Sequence, residues 1–154
     1  MTKVILHVED DENDVLLIQH AMEKAGAESS IQVASDGKQA IDYLKGEGKF
    51  SNRDQFPLPC LVLLDLKLPF VPGLEVLKWM RQEAQLPIPV IILTSSENEA
   101  DIATAYRLGA NAYMVKPNEV GKLVDVAKAI KDFWLTFNRE SPEAFLAPSS
   151  GAAA

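Results

Sequence analysis

Apolar residues along the chain fall alternately into short unbroken runs and into helical spacing, five times over. The first run, Lys3–Val8 (KVILHV), is short and rich in β-branched side chains, which predicts a strand rather than a buried helix. From Asp14 the apolar positions Val15, Ile18, Ala21, Met22 and Ala25 return every three or four residues, and Gly26 ends the first helix. Residues 31–34 (IQVA) predict a second strand, Ser35-Asp36-Gly37 a turn, and Ala40, Ile41 and Leu44 one face of a short second helix. Residues 46–59 (GEGKFSNRDQFPLP) hold two glycines and two prolines, which predicts a long surface loop. The continuous apolar run 60–64 (CLVLL) suits a central strand covered on both faces, and Asp65 ends it. Leu74, Leu77 and Met80 line a third helix that stops before Pro87. Residues 90–93 (VIIL) predict the fourth strand, and Ile102, Ala105 and Tyr106 mark a fourth helix ended by Gly109. Ala112–Val115 (AYMV) is the fifth strand. The last helix covers 120–137, with Leu123, Val126, Ala127, Ile130, Phe133, Trp134 and Phe137 at helical intervals.

Strands alternating with helices imply right-handed crossovers and helices on both faces, hence an α/β fold with a doubly wound, five-stranded parallel sheet. At 154 residues, 47% of them apolar and 24% charged, the chain fits one hydrophobic core. Residues 1–140 are read as that domain. Residues 141–154 (SPEAFLAPSSGAAA) are small, Pro-containing and aperiodic, and are expected to form a flexible tail.

Charge narrows the partners. Twenty-two acids against fifteen bases give a formal charge of -7, the wrong sign for gripping a phosphate backbone, so direct nucleic-acid binding is not expected. The single cysteine, Cys60, has no partner for an internal disulfide, and with His7 and His20 it makes no zinc set. No apolar run approaches the ~20 residues of a membrane span, and the acidic stretch 9–14 is unlike a targeting peptide. The expectation is a cytoplasmic protein with no membrane partner.

Five of the twenty-two acids lie within residues 9–14 (EDDEND). In doubly wound sheets ligands gather outside the carboxyl ends of the strands. Those ends are polar here: Glu9-Asp10-Asp11 after the first strand, Asp65 after the third, Thr94-Ser95-Ser96 at the fourth and Lys116-Pro117 after the fifth. Were the strands in the order 2-1-3-4-5, an order known for doubly wound sheets, the first and third would be neighbours and the carboxylates of Glu9, Asp10 and Asp65 would meet at one mouth. Carboxylates so close repel each other, and the only base at a strand end is Lys116. A hard divalent cation therefore fits, and Mg²⁺, which takes one or two carboxylates together with phosphate oxygens and water, is the candidate. With metal and ammonium neutralising charge on a phosphoryl group, Asp65 is placed to attack phosphorus and form an aspartyl phosphate. Thr94 offers a short hydroxyl to one phosphoryl oxygen, and Lys116 a compact charge to another. Each residue alone has an ordinary reading: a helix start favoured by the macrodipole, a turn aspartate, a helix cap, an exposed lysine. Their joint placement on consecutive strand ends points to chemistry.

The motifs VEDD at 8–11, LLDLKLPFVPG at 63–73, ILTSS at 92–96 and YMVKP at 113–117 resemble the CheY-like receiver domains of two-component response regulators, over residues 3–137. The resemblance implies a flavodoxin-like fold with strand order 2-1-3-4-5, and a single-domain response regulator that takes a phosphoryl group from a sensor histidine kinase in a phosphorelay. It makes Asp65 the phosphoacceptor and Glu9 and Asp10 the acidic pair, with Asp10 the direct metal ligand and Lys67 contributing its carbonyl. It makes Thr94 the switch hydroxyl, Tyr113 the aromatic whose rotamer follows it, Lys116 the lysine on the phosphoryl group, and Lys116–Pro117 a cis peptide. Asp11 and Asp14 are read as acids at the start of the first helix. The side chains of Lys67 and Ser96 flank the site where the family tunes dephosphorylation. The 46–59 loop and the FWL at 133–135 are similar to those of response regulators paired with phytochrome-type histidine kinases.

On this reading the chain catalyses only its own phosphorylation and dephosphorylation. A phosphohydrolase working through an aspartyl intermediate generally has a second Asp two residues after the nucleophile, where this chain has Lys67. A flavin carrier on the same fold needs a Ser/Thr/Gly-rich phosphate loop after the first strand, which is not present. His7 is expected to be a satisfied core or interface residue rather than a catalytic base, and His20 a helix residue with no role. Cys60 is expected to act as a small hydrophobe. Phe133, Trp134 and Phe137 exceed one core-facing stripe, so some aromatic surface is expected to face a partner, a second copy making a homodimer.

Overall fold

The five apolar runs pair side by side in the computed structural model, which describes residues 3–27, 29–139 and 141–142. The strands are β1 (Lys3–Val8), β2 (Ser29–Ala34), β3 (Leu61–Leu64), β4 (Val90–Thr94) and β5 (Ala112–Val115). All are parallel and lie in the order β2-β1-β3-β4-β5, as expected. In register, Val8 lies beside Ala34 and Leu64, Leu64 beside Ile92, and Thr94 beside Val115. The helices are α1 (Glu12–Lys24), α2 (Gly37–Lys45), α3 (Gly73–Lys78), α4 (Glu99–Arg107) and α5 (Val120–Ala129). Both α3 and α5 run on as wider π turns, Trp79–Glu83 and Ile130–Phe137. Among the described residues no helix is long and apolar enough to cross a membrane. The expected tail, from residue 143 onward, lies outside the described residues.

Successive side chains of a strand point to opposite faces, so each central strand feeds two cores. Leu6 and Val8 join Val62, Leu64 and Ile92 against α2 and α3, where Tyr43, Val76, Leu77 and Met80 are buried. Ile5, Leu61, Leu63, Ile91 and Leu93 point the other way, onto Ile18 and Met22 of α1 and Leu123 and Ala127 of α5. Continuing this alternation past the strand ends puts Glu9, Asp65 and Lys116 on the α1/α5 face and Thr94 on the other. The positions of the reactive groups thus follow from the same period that builds the core.

The structure departs from the sequence reading at several points, among them the following. α1 starts at Glu12 rather than Asp14, because the Asp11 side chain caps it by accepting the N–H groups of Asn13 (2.8 Å) and Asp14 (3.3 Å). β2 starts two residues earlier than expected, at Ser29. Residues 46–59 are more than a surface loop. They hold a 3₁₀ turn, Gly48–Phe50, and send Phe50 and Phe56 into the core on the α2 side, where their rings and that of Tyr43 pack with centroids 5.1–5.9 Å apart. Arg53 closes this segment by donating to the carbonyls of Tyr43 (2.8 Å), Leu44 (2.9 Å) and Phe56 (3.1 Å). The guanidinium thus adds donors from the loop to the C-terminal end of α2, where the Tyr43 carbonyl also accepts the Gly46 N–H.

Candidate functional site

One ammonium gathers three carboxylates at the carboxyl end of the sheet. Lys116 Nζ donates to Glu9 Oε1 (2.6 Å), Asp14 Oδ2 (2.8 Å) and Asp65 Oδ2 (3.0 Å). Glu9 is 1% exposed and Asp65 7%, so two acids are buried beside one base. The second oxygen of each is tethered to backbone. Leu66 N–H donates to Asp65 Oδ1 (2.7 Å), with Lys67 N–H at 3.4 Å, and Asp11 N–H donates to Glu9 Oε2 (3.2 Å). Asp11 therefore has two duties, capping α1 and holding Glu9.

The turn after β3 is held closed from α3. Gly73 N–H donates to the Leu66 carbonyl (2.9 Å). A Cβ at Gly73 would lie 2.1 Å from the Asp65 carbonyl oxygen and 2.7 Å from Leu66 Cα, so only glycine fits this approach.

Glu9, Asp10 and Asp65 each offer a carboxylate oxygen, and the three lie within 4.8 Å of one another. An all-oxygen, anionic donor set is what a hard divalent cation takes, so the residues present fit such an ion. The site residues on the opposite face of β4 and β5 are arranged differently. Thr94 is fully buried and its hydroxyl has no hydrogen-bond partner. Tyr113 Oη donates to the Ser96 carbonyl (3.0 Å), and the Ser96 hydroxyl donates to Asp101 Oδ2 (2.7 Å).

Three expectations need correction. No peptide bond among the described residues is cis, so Lys116–Pro117 is trans. For an X–Pro bond trans is favoured by only ~0.5–1 kcal/mol, so the surroundings decide, and from the trans form Lys116 already reaches its three acids. His7 is buried, but it is not satisfied, since its Nδ1 has no hydrogen-bond partner. Asp14 is more than an acid of the first turn, because it bonds Lys116 across 102 positions of sequence. Reading α1 as starting at Asp14 hid this, and only the five-acid run hinted at it.

Burial pushes the Glu9 carboxyl up to about 7, against the Lys116 hydrogen bond that lowers it. Asp65 goes the other way: burial raises it, but the Lys116 ammonium, together with Thr94 and Glu9 beside it, holds it below the usual carboxylate value. For Lys116, burial works against the charge, yet its bonds to Asp14, Glu9 and Asp65 hold it above the ordinary lysine value. Burial, with Lys116 nearby, depresses His7 to about 4. The linkage signs of His7 and Glu9 oppose each other. The raised Glu9 contributes stability that is full below its ordinary 4.5 and lost as pH rises to about 7. The depressed His7 contributes stability that is full above 6.5 and lost as pH falls to about 4. With a chelator present, the urea midpoint of the wild type should vary little between pH 6.5 and 4.5. In Glu9→Gln it should fall steadily over that interval. Parallel profiles for the two proteins would contradict this account.

A doubly wound sheet whose carboxyl edge joins three acids, a lysine and a buried threonine is the architecture of a phosphorelay signalling domain. The chain matches the response regulator receiver domain family over residues 5–128 and belongs to it. Response regulator Rcp1 of Synechocystis sp. is 37% identical over 134 residues, 86% of this chain and 89% of that one. The crystal structure of Rcp1 in its Mn²⁺-bound form superposes with a TM-score of 0.81, at 35% identity, over 90% of this chain and 99% of that one. The phosphorylated cyanobacterial phytochrome response regulator RcpA gives 0.83 at 36% identity, over 91% and 99%. The bacteriophytochrome response regulator RtBRR gives 0.73 at 44% identity, over 99% and 92%. Receiver domains are signalling domains that bind a divalent metal and are phosphorylated by histidine kinases.

Proposed function

We propose that Asp65 is the phosphoacceptor, that the donor is a sensor histidine kinase of the phytochrome type, and that Mg²⁺ is held by Glu9, Asp10, Asp65 and the Lys67 carbonyl. The observation that carries this reading is the contact of Asp65 Oδ2 with Lys116 Nζ at 3.0 Å, beside acids whose oxygens lie within 4.8 Å. When bound, the dication neutralises charge on the transferring group. The chain's own residues do the rest. Backbone N–H groups of Leu66 and Lys67 orient the Asp65 carboxylate. Asp65 oxygen attacks phosphorus, the bond from phosphorus to the donor breaks, and the donor leaves with that electron pair. Lys116 moves a hydrogen bond from a carboxylate to a phosphoryl oxygen, and the unpartnered Thr94 hydroxyl takes another.

Drawing Thr94 toward the phosphoryl group frees space beside Tyr113, whose bond to the Ser96 carbonyl then resets the β4–α4 loop. The message leaves through that surface. The chain catalyses its own phosphorylation and dephosphorylation and works in the cytoplasm without contacting nucleic acid. Residues 1–140 suffice for this. Phe133 and Phe137, 53% and 74% exposed, support a homodimer through the end of α5.

Incubation with acetyl phosphate and Mg²⁺ is expected to add one phosphoryl group by mass spectrometry, and Asp65→Asn to abolish it. Sedimentation of the same samples is expected to report a dimer. An equal phosphoryl yield in Asp65→Asn refutes the assignment.

A further inference from the structure

Asp14 stands apart from the other partners of Lys116. Glu9 and Asp65 lie on strand ends and belong to the set of oxygens that fits a divalent cation. Asp14 lies in the first turn of α1, outside that set, and its side chain is 32% exposed. An ammonium has three N–H donors, and all three are used here, one per carboxylate. A dication among Glu9, Asp10 and Asp65 takes electron density from two of those acceptors and repels the ammonium at short range. Asp14 is the acceptor left over.

We propose that Asp14 is a positioning residue that anchors the Lys116 ammonium at the mouth of the site when a divalent cation claims Glu9 and Asp65, so that the amine is in place for the phosphoryl group. The inference rests on the function proposed above. It gives the acidic run 9–14 a division of labour: Glu9 and Asp10 toward the metal, Asp11 as cap and tether of Glu9, Asp14 as holder of the lysine. The fold makes this placement available because the Asp11 cap starts α1 early enough to turn Asp14 toward β5.

The test compares Asp14→Asn with wild type, with two companions. Glu12→Gln removes another first-turn acid of α1 that is exposed, which isolates the helix-dipole contribution. Asp14→Glu keeps the charge with a longer reach. Two readouts are taken with Mg²⁺ present. The first is acylation of Lys116 by an amine-reactive ester, followed by peptide mass spectrometry. The second is the rate of phosphoryl uptake from acetyl phosphate at saturating donor. Asp14→Asn should be acylated at Lys116 several times faster, with other lysines unchanged. Its phosphoryl uptake should fall by about tenfold, the scale of a displaced rather than deleted charged donor. Glu12→Gln should match wild type in both, and Asp14→Glu should lie between. In the background of Lys116→Met, adding Asp14→Asn should slow uptake no further, since the effect runs through the lysine. Wild-type uptake in Asp14→Asn overturns the proposal, as does unchanged acylation. If wild type takes up no phosphoryl group, the functional reading fails instead, and the acylation comparison still decides whether Asp14 anchors the lysine.

Discussion

Lys116→Met is expected to lose about 3 kcal/mol of stability at pH 8 with a chelator present, because it leaves buried carboxylates without their cation. Glu9 and Asp65 are almost wholly enclosed, and among the described residues Lys116 is the base that each of them bonds. The loss should shrink toward pH 5, where Glu9, whose carboxyl is held up to about 7, takes a proton and one charge disappears. It should also shrink on addition of Mg²⁺, which replaces the missing positive charge. Methionine keeps the aliphatic length, so packing along the stem is little changed. Uptake of a phosphoryl group from acetyl phosphate should fall by about 10²–10³, as for deletion of one charge-stabilising donor. Urea titrations at the two pH values, with and without Mg²⁺, read the first three effects. A variant as stable as wild type at pH 8 in chelator would show that the three acids do not depend on this ammonium.

Gly73→Ala should be costly for a different reason. The new methyl would meet the Asp65 carbonyl oxygen at 2.1 Å, Leu66 Cα at 2.7 Å and Asp65 C at 3.0 Å, all of them backbone. A flexible side chain could swing away, but the chain segment that carries the phosphoacceptor must move as a whole. Overpacking of this kind costs about 3 kcal/mol. That corresponds to a fall in Tm of about 10 °C for a domain of this size. Gly121→Ala serves as the comparison. Nothing lies within 4 Å of its Cβ, and in α5 the substitution should be neutral or stabilising by up to ~1 kcal/mol. If the two variants melt together, the close approach of α3 to the Asp65 carbonyl is not a constraint. Gly73→Ala should also take up phosphoryl groups more slowly, because the Leu66 amide that orients Asp65 Oδ1 sits in the displaced segment.

The alternation of apolar runs and helical spacing carried most of the fold into view. Period two places Ile5, Leu63 and Met114 on one face, and extending it by one step does the same for His7, Asp65 and Lys116. The polar strand ends were therefore legible as a group, while their strand order came from the resemblance to receiver domains. What escaped was set by side-chain contacts that have no local period. The start of α1 depends on Asp11 accepting two N–H groups, and this decides whether Asp14 is a helix residue aimed at Lys116 or a connecting acid. The interior of residues 46–59 depends on aromatic rings six or more positions apart, Tyr43, Phe50 and Phe56, which no single-element pattern detects. The Lys116–Pro117 isomer turns on an energy difference smaller than one good hydrogen bond, and His7 pairing on geometry around a single ring nitrogen.

The segment closed by Arg53 precedes β3, so it lies at the edge of the sheet opposite the carboxylates. Its outward residues Asn52, Asp54 and Gln55 are exposed, while the aromatic rings and the guanidinium hold the chain on either side. A fluorophore or affinity handle grafted at position 54 would thus ride on a rigid platform far from the reacting oxygens, giving a reporter of partner encounters that leaves phosphoryl chemistry undisturbed.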